Sequence, residues 1–309
     1  MSPQELAALA KRVATELGFD ACGVTDASAV PHADALTWWL GSGYHGEMRY
    51  MASQAETRRQ PKNVWPRARS IVVVLDNYYI ETDSTPAGYR VARYAQGKDY
   101  HAVIRGKLDQ LGLVIAQAAG QGAWRSYVDA GPMPERELAQ RAGLGWIAKN
   151  TMLIRPDLGS YTFIGCVLTD LELERDAPFE ADRCGSCTRC LEACPTGAFP
   201  EPRVLDATRC ISYLTIEARS DVPEALRPLI GDHLFGCDVC QEVCPWNVKF
   251  AAETLEPHYR PQGPWPSLGE ILALDDHAFD RRFGDTALER ARRTGLRRNA
   301  LVVLENAGR

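Results

Sequence analysis

Residues 184–195 read CGSCTRCLEACP, and residues 237–245 read CDVCQEVCP. The first block spaces its thiols as Cys184-x-x-Cys187-x-x-Cys190-x-x-x-Cys194 and ends on Pro195. This is the bacterial ferredoxin spacing, in which a tight loop grips one [4Fe–4S] cube and the cysteine before proline reaches a second. The second block carries Cys237, Cys240 and Cys244 before Pro245, with Leu234 where a leading cysteine would stand. One ligand is missing. Cys210, in DATRCISYL, is the remaining cysteine of the segment and can supply it from a helix capped by Asp206. Crossed ligation then predicts Cys184, Cys187, Cys190 and Cys244 on one cube, and Cys194, Cys210, Cys237 and Cys240 on the other. Structural zinc is the bland alternative, but zinc sites pair two CxxC knuckles across about a dozen or more residues.

The rest of the composition sets the frame. Ten cysteines in 309 residues are too few for a disulfide scaffold, and eight of the ten fall within Cys184–Cys244. Cys22 and Cys166 sit in predicted strands without a partner motif and read as core residues. With 35 basic and 40 acidic residues the net charge is −5, so the chain is not a generally basic nucleic-acid binder. Its length suggests about two structural units. Residues 5–17 form an amphipathic helix, not the apolar core of a signal peptide, and no run approaches the ~18 apolar residues of a membrane span. A cytoplasmic protein is expected, where clustered cysteines bind metal or do redox work.

Outside the cysteine blocks, short apolar runs alternate with helical patterns. Ala21–Thr25, Ser70–Leu75, Ser126–Asp129 and Tyr161–Leu168 read as strands buried on both faces. Helices are expected near 5–17, 99–119 and 134–142, the second capped by Asp99 and the third opened by Pro134. The fold class is therefore α/β (α+β) in the N-terminal part. We divide the chain into an α/β domain at 1–172, a ferredoxin-like domain at 173–257 and a helical basic segment at 258–309. That last segment has helical patterns at about 267–274, 286–293 and 295–306.

Other motifs carry less. Gly41-Ser-Gly-Tyr-His-Gly46 has the letters of a dinucleotide fingerprint, but a helical Thr37–Leu40 precedes it and no acidic ribose partner follows, so it reads as a loop between helices. His233 in GDHLFG and His277 in DDHAFD each match only part of a cobalt-ligand motif, and a surface or partly buried histidine describes both better. Asp129 ends a predicted strand before Ala130-Gly131-Pro132, at the carboxyl edge of an α/β sheet, where ligands bind. An aspartate opening a turn is more often structural. Gly143–Thr151 (GLGWIAKNT) is either a loop approaching a phosphate or a plain connection. ERARRTGLRR, 289–298, carries five arginines against one glutamate. Such a run suits either a solvated helix face or phosphate contacts.

YVDAGP (127–132), AGLGWIAKNT (142–151), CGSCTRCLEACPTGA (184–198), CISYLTIE (210–217) and CDVCQEVCPWN (237–247) together strongly resemble the epoxyqueuosine reductase family, over nearly the whole chain. The resemblance implies a cobalamin-dependent enzyme with two [4Fe–4S] clusters that removes the epoxide oxygen of epoxyqueuosine at the tRNA wobble position. It implies Asp129 as proton donor and a cobalt without a protein histidine below it. It suggests Arg58, Lys149 and Asn150 as cobalamin contacts, with Ser212 beside the second cube. Arg281, Arg282, Arg292, Arg293, Arg297 and Arg298 become candidate tRNA contacts, and an external donor such as a flavodoxin or ferredoxin is expected to feed a monomeric enzyme. A cytoplasmic reductive dehalogenase or a pure electron-transfer module are the rival readings.

Overall fold

The structure, a computed structural model, describes residues 1–308. Four strands make one sheet: β1 (Ala21–Asp26), β2 (Ser70–Asn77), β3 (Trp124–Val128) and β4 (Thr162–Thr169), in the order β1-β2-β4-β3. Every pairing is antiparallel, with Cys22 opposite Val74, Val73 opposite Cys166 and Cys166 opposite Tyr127. The strands fall where the apolar runs place them, but the direction corrects the expectation of a carboxyl-edge site. A run such as SIVVVL is buried on both faces of either kind of sheet once helices cover both sides.

Both sides are covered. Val72 and Val74 face α1 (Pro3–Glu16) and α2 (Tyr100–Ala118), packing with Leu6, Leu9, Ile104, Leu108 and Leu111. Ile71, Val73 and Leu75 point the other way, toward Leu138 and Ala139 of α3 (Glu135–Arg141) and toward Trp65. This alternation is the two-residue period of a strand. Close packing at the edge needs a glycine, because a Cβ on Gly23 would lie 2.2 Å from the carbonyl oxygen of Ala142.

A second core joins distant stretches. The strand Arg90–Val91 pairs in parallel with His233–Phe235, and Val91, Leu234 and Phe235 pack with Phe279, Phe283, Leu296 and Val303. The C-terminal pattern differs from expectation. Residues 287–291 form a 3-10 turn, and α4 (Arg292–Ala307) runs unbroken through Gly295, which is buried in its interior. The DDHAFD stretch opens a helix, Asp276–Phe283, whose N-cap Asp275 accepts from the Ala278 amide. His277 is exposed there, whereas His233 is a core residue at 5 % exposure. The Gly41–Gly46 stretch is a turn between the helices Ala33–Gly41 and Arg49–Ser53.

Candidate functional site

The eight clustered cysteines gather into two groups. Cys184, Cys187, Cys190 and Cys244 line one cavity of about 400 Å³, with Ala148, Ile154, Trp246 and Phe250 as its apolar wall. Burial pushes the Cys190 thiol up, and the nearby thiols of Cys244, Cys184 and Cys187 add to it. Burial likewise raises Cys240 well above the thiol range, joined by Cys210, Cys237 and Cys194. Each group thus takes one cysteine from the other block. The helices Arg189–Glu192 and Val239–Glu242 carry Cys190 and Cys240.

Donors point at the sulfurs. Trp146 Nε1 donates to Cys184 Sγ at 3.4 Å and the Ala198 amide to Cys194 Sγ at 3.3 Å. Cys210 does not sit inside a helix capped by Asp206. Asp206 caps the short turn Ala207–Arg209, and Cys210 is itself the N-cap of Ile211–Ile216. There the amides of Tyr213 and Ser212 face its sulfur and offset part of the burial penalty. Two sets of four thiols, each with N–H groups directed at sulfur, fit the donor set of two iron–sulfur cubes.

Lys149 and Asn150 serve these loops. Lys149 Nζ donates to the carbonyls of Gly185 at 2.6 Å and Cys187 at 2.9 Å, and the buried Asn150 donates to the Cys240 carbonyl at 3.2 Å. Their polar groups thus brace the loops that carry Cys184, Cys187 and Cys240. Cys22 and Cys166 belong to the sheet, and burial pushes the Cys22 thiol up to about 12.

Asp129 lies just past β3 with φ +50°, a left-handed conformation that aspartate tolerates. Its Oδ2 accepts from the Tyr100 hydroxyl at 2.5 Å, and His101 Nε2 stands 3.9 Å away. His101 is oriented from behind by Asp99, whose Oδ1 is 2.7 Å from Nδ1. The Asp129 amide donates to Glu135 Oε1 at 2.6 Å. Burial, and then the charge of Asp129, push the Glu135 carboxyl up to about 8. Arg58 adjoins the same group: burial lowers its guanidinium pKa against the pull of Tyr50, Glu135 and Asp129, and its Nε has no partner among the described residues. Arg136 donates to the Thr151 carbonyl at 2.6 Å. The Asp129 side chain remains 66 % exposed, so its open face can be desolvated only by what binds there.

Sequence reasoning singled out Asp129 and Arg58 but not Tyr100, His101, Glu135 or Arg136. Asp99-Tyr-His carries a helix-start signal, but a carboxylate two residues before a histidine can also orient its ring.

The basic C-terminal arginines separate into two kinds. Arg298 donates to the carbonyls of Leu214, Ala218 and Ser220 at 2.6–2.8 Å, Arg282 to that of Pro264, and Arg293 pairs with Asp276. Arg281, Arg292 and Arg297 are exposed and form no ion pair among the described residues. Arg290, not among the candidates, pairs with Glu217 and lies over the Tyr50 ring.

Comparison with known proteins agrees with this layout. Residues 183–247 match the family described as 4Fe-4S double cluster binding domain, and residues 58–130 match "Epoxyqueuosine reductase QueG, DUF1730". An epoxyqueuosine reductase from Pseudomonas aeruginosa is 40% identical over 318 aligned residues, spanning 99% of this chain and 88% of that protein. A solved epoxyqueuosine reductase with an epoxyqueuosine-modified tRNA-Tyr stem loop superposes with a TM-score of 0.89 at 34% identity, covering 99% of this chain and 82% of that one. A Bacillus subtilis epoxyqueuosine reductase, solved with its catalytic aspartate loop swung out of the active site, gives 0.87 at 33%, with the same coverage. With two cysteine sets, a shared fold along nearly its whole length and this level of identity, the chain belongs to the epoxyqueuosine reductase family.

Proposed function

We propose that the chain removes the epoxide oxygen of epoxyqueuosine at the wobble position of a tRNA anticodon loop, with Asp129 as proton donor and a cobalamin over the open face of Asp129. The observation that carries this reading is the setting of Asp129: a left-handed turn residue hydrogen-bonded by Tyr100 and Glu135, with one open carboxylate face. The Bacillus subtilis relative's catalytic aspartate loop and the relative solved with a modified stem loop support it.

Converting an epoxide to an alkene and water takes up two electrons and two protons, so the site needs an electron relay and an acid. A bound cobalamin supplies a strongly reducing metal centre, and the clusters supply a one-electron relay from an external donor. The chain's residues do the rest. Tyr100 fixes Asp129 Oδ2, His101 stands behind it as a route for returning protons, and the partnerless Arg58 Nε offers a polar edge to the cofactor. A wobble base in a single-stranded loop can be turned toward such a site without breaking a duplex. No described helix is long and apolar enough to cross a membrane.

The test is Asp129→Asn in anaerobically prepared enzyme. Iron content and corrin binding should match wild type while turnover drops by about 10²–10⁴-fold. A variant that binds cobalamin normally and turns over at the wild-type rate overturns the assignment.

A further inference from the structure

The two thiol sets differ in their surroundings. Asp182, Arg183, Gly185, Ser186, Thr188 and Arg189, which flank the first cysteines, are all exposed; in the second set Pro195 and Arg209 beside Cys194 and Cys210 are exposed too, but Phe235, Gly236 and Asp238 around Cys237 are buried. The second set also lies on the Asp129 side. Tyr100, which holds Asp129, meets Tyr94 edge-on with ring centroids 6.1 Å apart; Tyr94 lies 6.3 Å from Phe235, two residues before Cys237, and the amide of neighbouring Arg93 donates to Asp238. Electrons bound for the Asp129 site would then enter at the set farther from it, the one holding Cys184, Cys187, Cys190 and Cys244.

The surface over that set has a definite chemistry. Arg183 and Lys249 line its cavity, and Arg189, Val248, Ala193 and Val243 line a second groove with one carboxylate, Glu192, which accepts from the Thr188 hydroxyl at 2.5 Å. None of the three cations pairs with a carboxylate among the described residues, Glu192 included, and Val248, which precedes Lys249 and lines the Arg189 groove, is 73 % exposed. A cationic face with an apolar centre, on a chain of net charge −5, steers an acidic partner toward this face while the bulk of the molecule repels it.

We propose that this face is the docking site of a small acidic one-electron carrier protein, with Arg183, Arg189 and Lys249 contacting its carboxylates around Val248. The proposal rests on the reading above that the cysteine sets hold clusters that feed the Asp129 site. A protein is favoured over the tRNA because the side chains beside Asp129 are those of Tyr100, His101 and Glu135, none of which lines this face.

The experiment mixes cluster-loaded, oxidised protein with flavodoxin hydroquinone under anaerobic stopped flow. One electron leaves the flavin, which becomes the semiquinone, and reduces a cluster. Arg189→Glu/Val248→Glu, both outside the cluster cavity, should slow this reaction at least tenfold and flatten its salt dependence. Reduction by photoexcited deazaflavin, which needs no protein docking, should stay at the wild-type rate. Carbodiimide should also cross-link Lys249 of the wild type to a flavodoxin carboxylate. Wild-type flavodoxin kinetics in the variant, no cross-link at Lys249, or a loss of tRNA affinity with unchanged flavodoxin kinetics each overturns the proposal. If deazaflavin cannot reduce the wild-type protein, the cluster reading itself has failed, and the two failures are thereby told apart.

Discussion

Glu135 Oε1 accepts the amide hydrogen of Asp129 at 2.6 Å, so the first residue of α3 holds the turn that aims the candidate acid. The carboxyl of Glu135 stays protonated to about pH 8, because burial and the charge of Asp129 both oppose its ionisation. Its folded pKa lies above the ordinary 4.5, so the stability it contributes is complete below pH 4.5 and is lost as pH rises toward 8. Above that, two carboxylates share one turn, opposed only by Arg136 and Arg58. We expect turnover to fall with an apparent pKa near 8 and Glu135→Gln, which keeps the acceptor oxygen, to lack that limb. Glu135→Ala should speed hydrogen exchange of the Asp129 amide and lower kcat roughly tenfold. Unchanged exchange in the alanine variant rules the latch out.

Cys210 completes a thiol set from outside either ferredoxin block. Cys210→Ala should reduce anaerobically bound iron from about eight per chain to about four. Cys22→Ala and Cys166→Ala should leave it unchanged, since both belong to the sheet core and the Cys22 thiol stays protonated to about pH 12. Full iron in the Cys210 variant would remove it from the ligand set.

What the chain order reveals depends on how local each constraint is. The thiol grouping is legible because a loop that wraps a cube needs fixed short spacings, and the missing cysteine at Leu234 leaves only Cys210. Strand positions are legible from SIVVVL and its counterparts, but strand direction is not, since burial on both faces erases the alternation that marks an antiparallel strand. The site around Asp129 was half visible. Tyr100, 29 residues upstream, reaches it only because α2 packs against the sheet. The patterns at 286–293 and 295–306 do not map onto two helices: 287–291 is a 3-10 turn and α4 starts at Arg292, its burial outweighing the roughly 1 kcal/mol that Gly295 costs a helix interior. Nor can spacing show that the partners of Arg298 are carbonyls about 80 residues away.

The arginines of the C-terminal segment should therefore divide by experiment. Arg298→Ala removes charged donors from three backbone carbonyls and should cost about 1.5–3 kcal/mol in urea unfolding. Exposed Arg281, Arg292 and Arg297 should be silent in stability. If they meet phosphates, each alanine variant lowers tRNA affinity and reduces the salt slope by about 1. Equal salt slopes in wild type and the triple variant would exclude these three from the RNA interface.

Arg93 ties the N-terminal half to the second cysteine block. Its backbone amide donates to Asp238 Oδ2 at 2.8 Å, and its Nη1 to Asp238 at 3.3 Å and Glu242 at 2.8 Å. Both Arg93 and Asp238 are nearly sealed from solvent, at 7 % and 2 % side-chain exposure. Arg93→Met leaves the Asp238 carboxylate buried without its counter-ion and should destabilise the protein by about 3–5 kcal/mol. Burial already raises the Asp238 pKa and Arg93 holds it down, so removing Arg93 lets it climb further. A folded pKa above the unfolded one means stability lost as pH rises, so the defect should be smaller at pH 5 than at pH 8. Asp238→Asn in the same background should recover part of the loss at pH 8 and little at pH 5. A defect of equal size at both pH values would show that Arg93 acts by packing alone and not through the charge of Asp238.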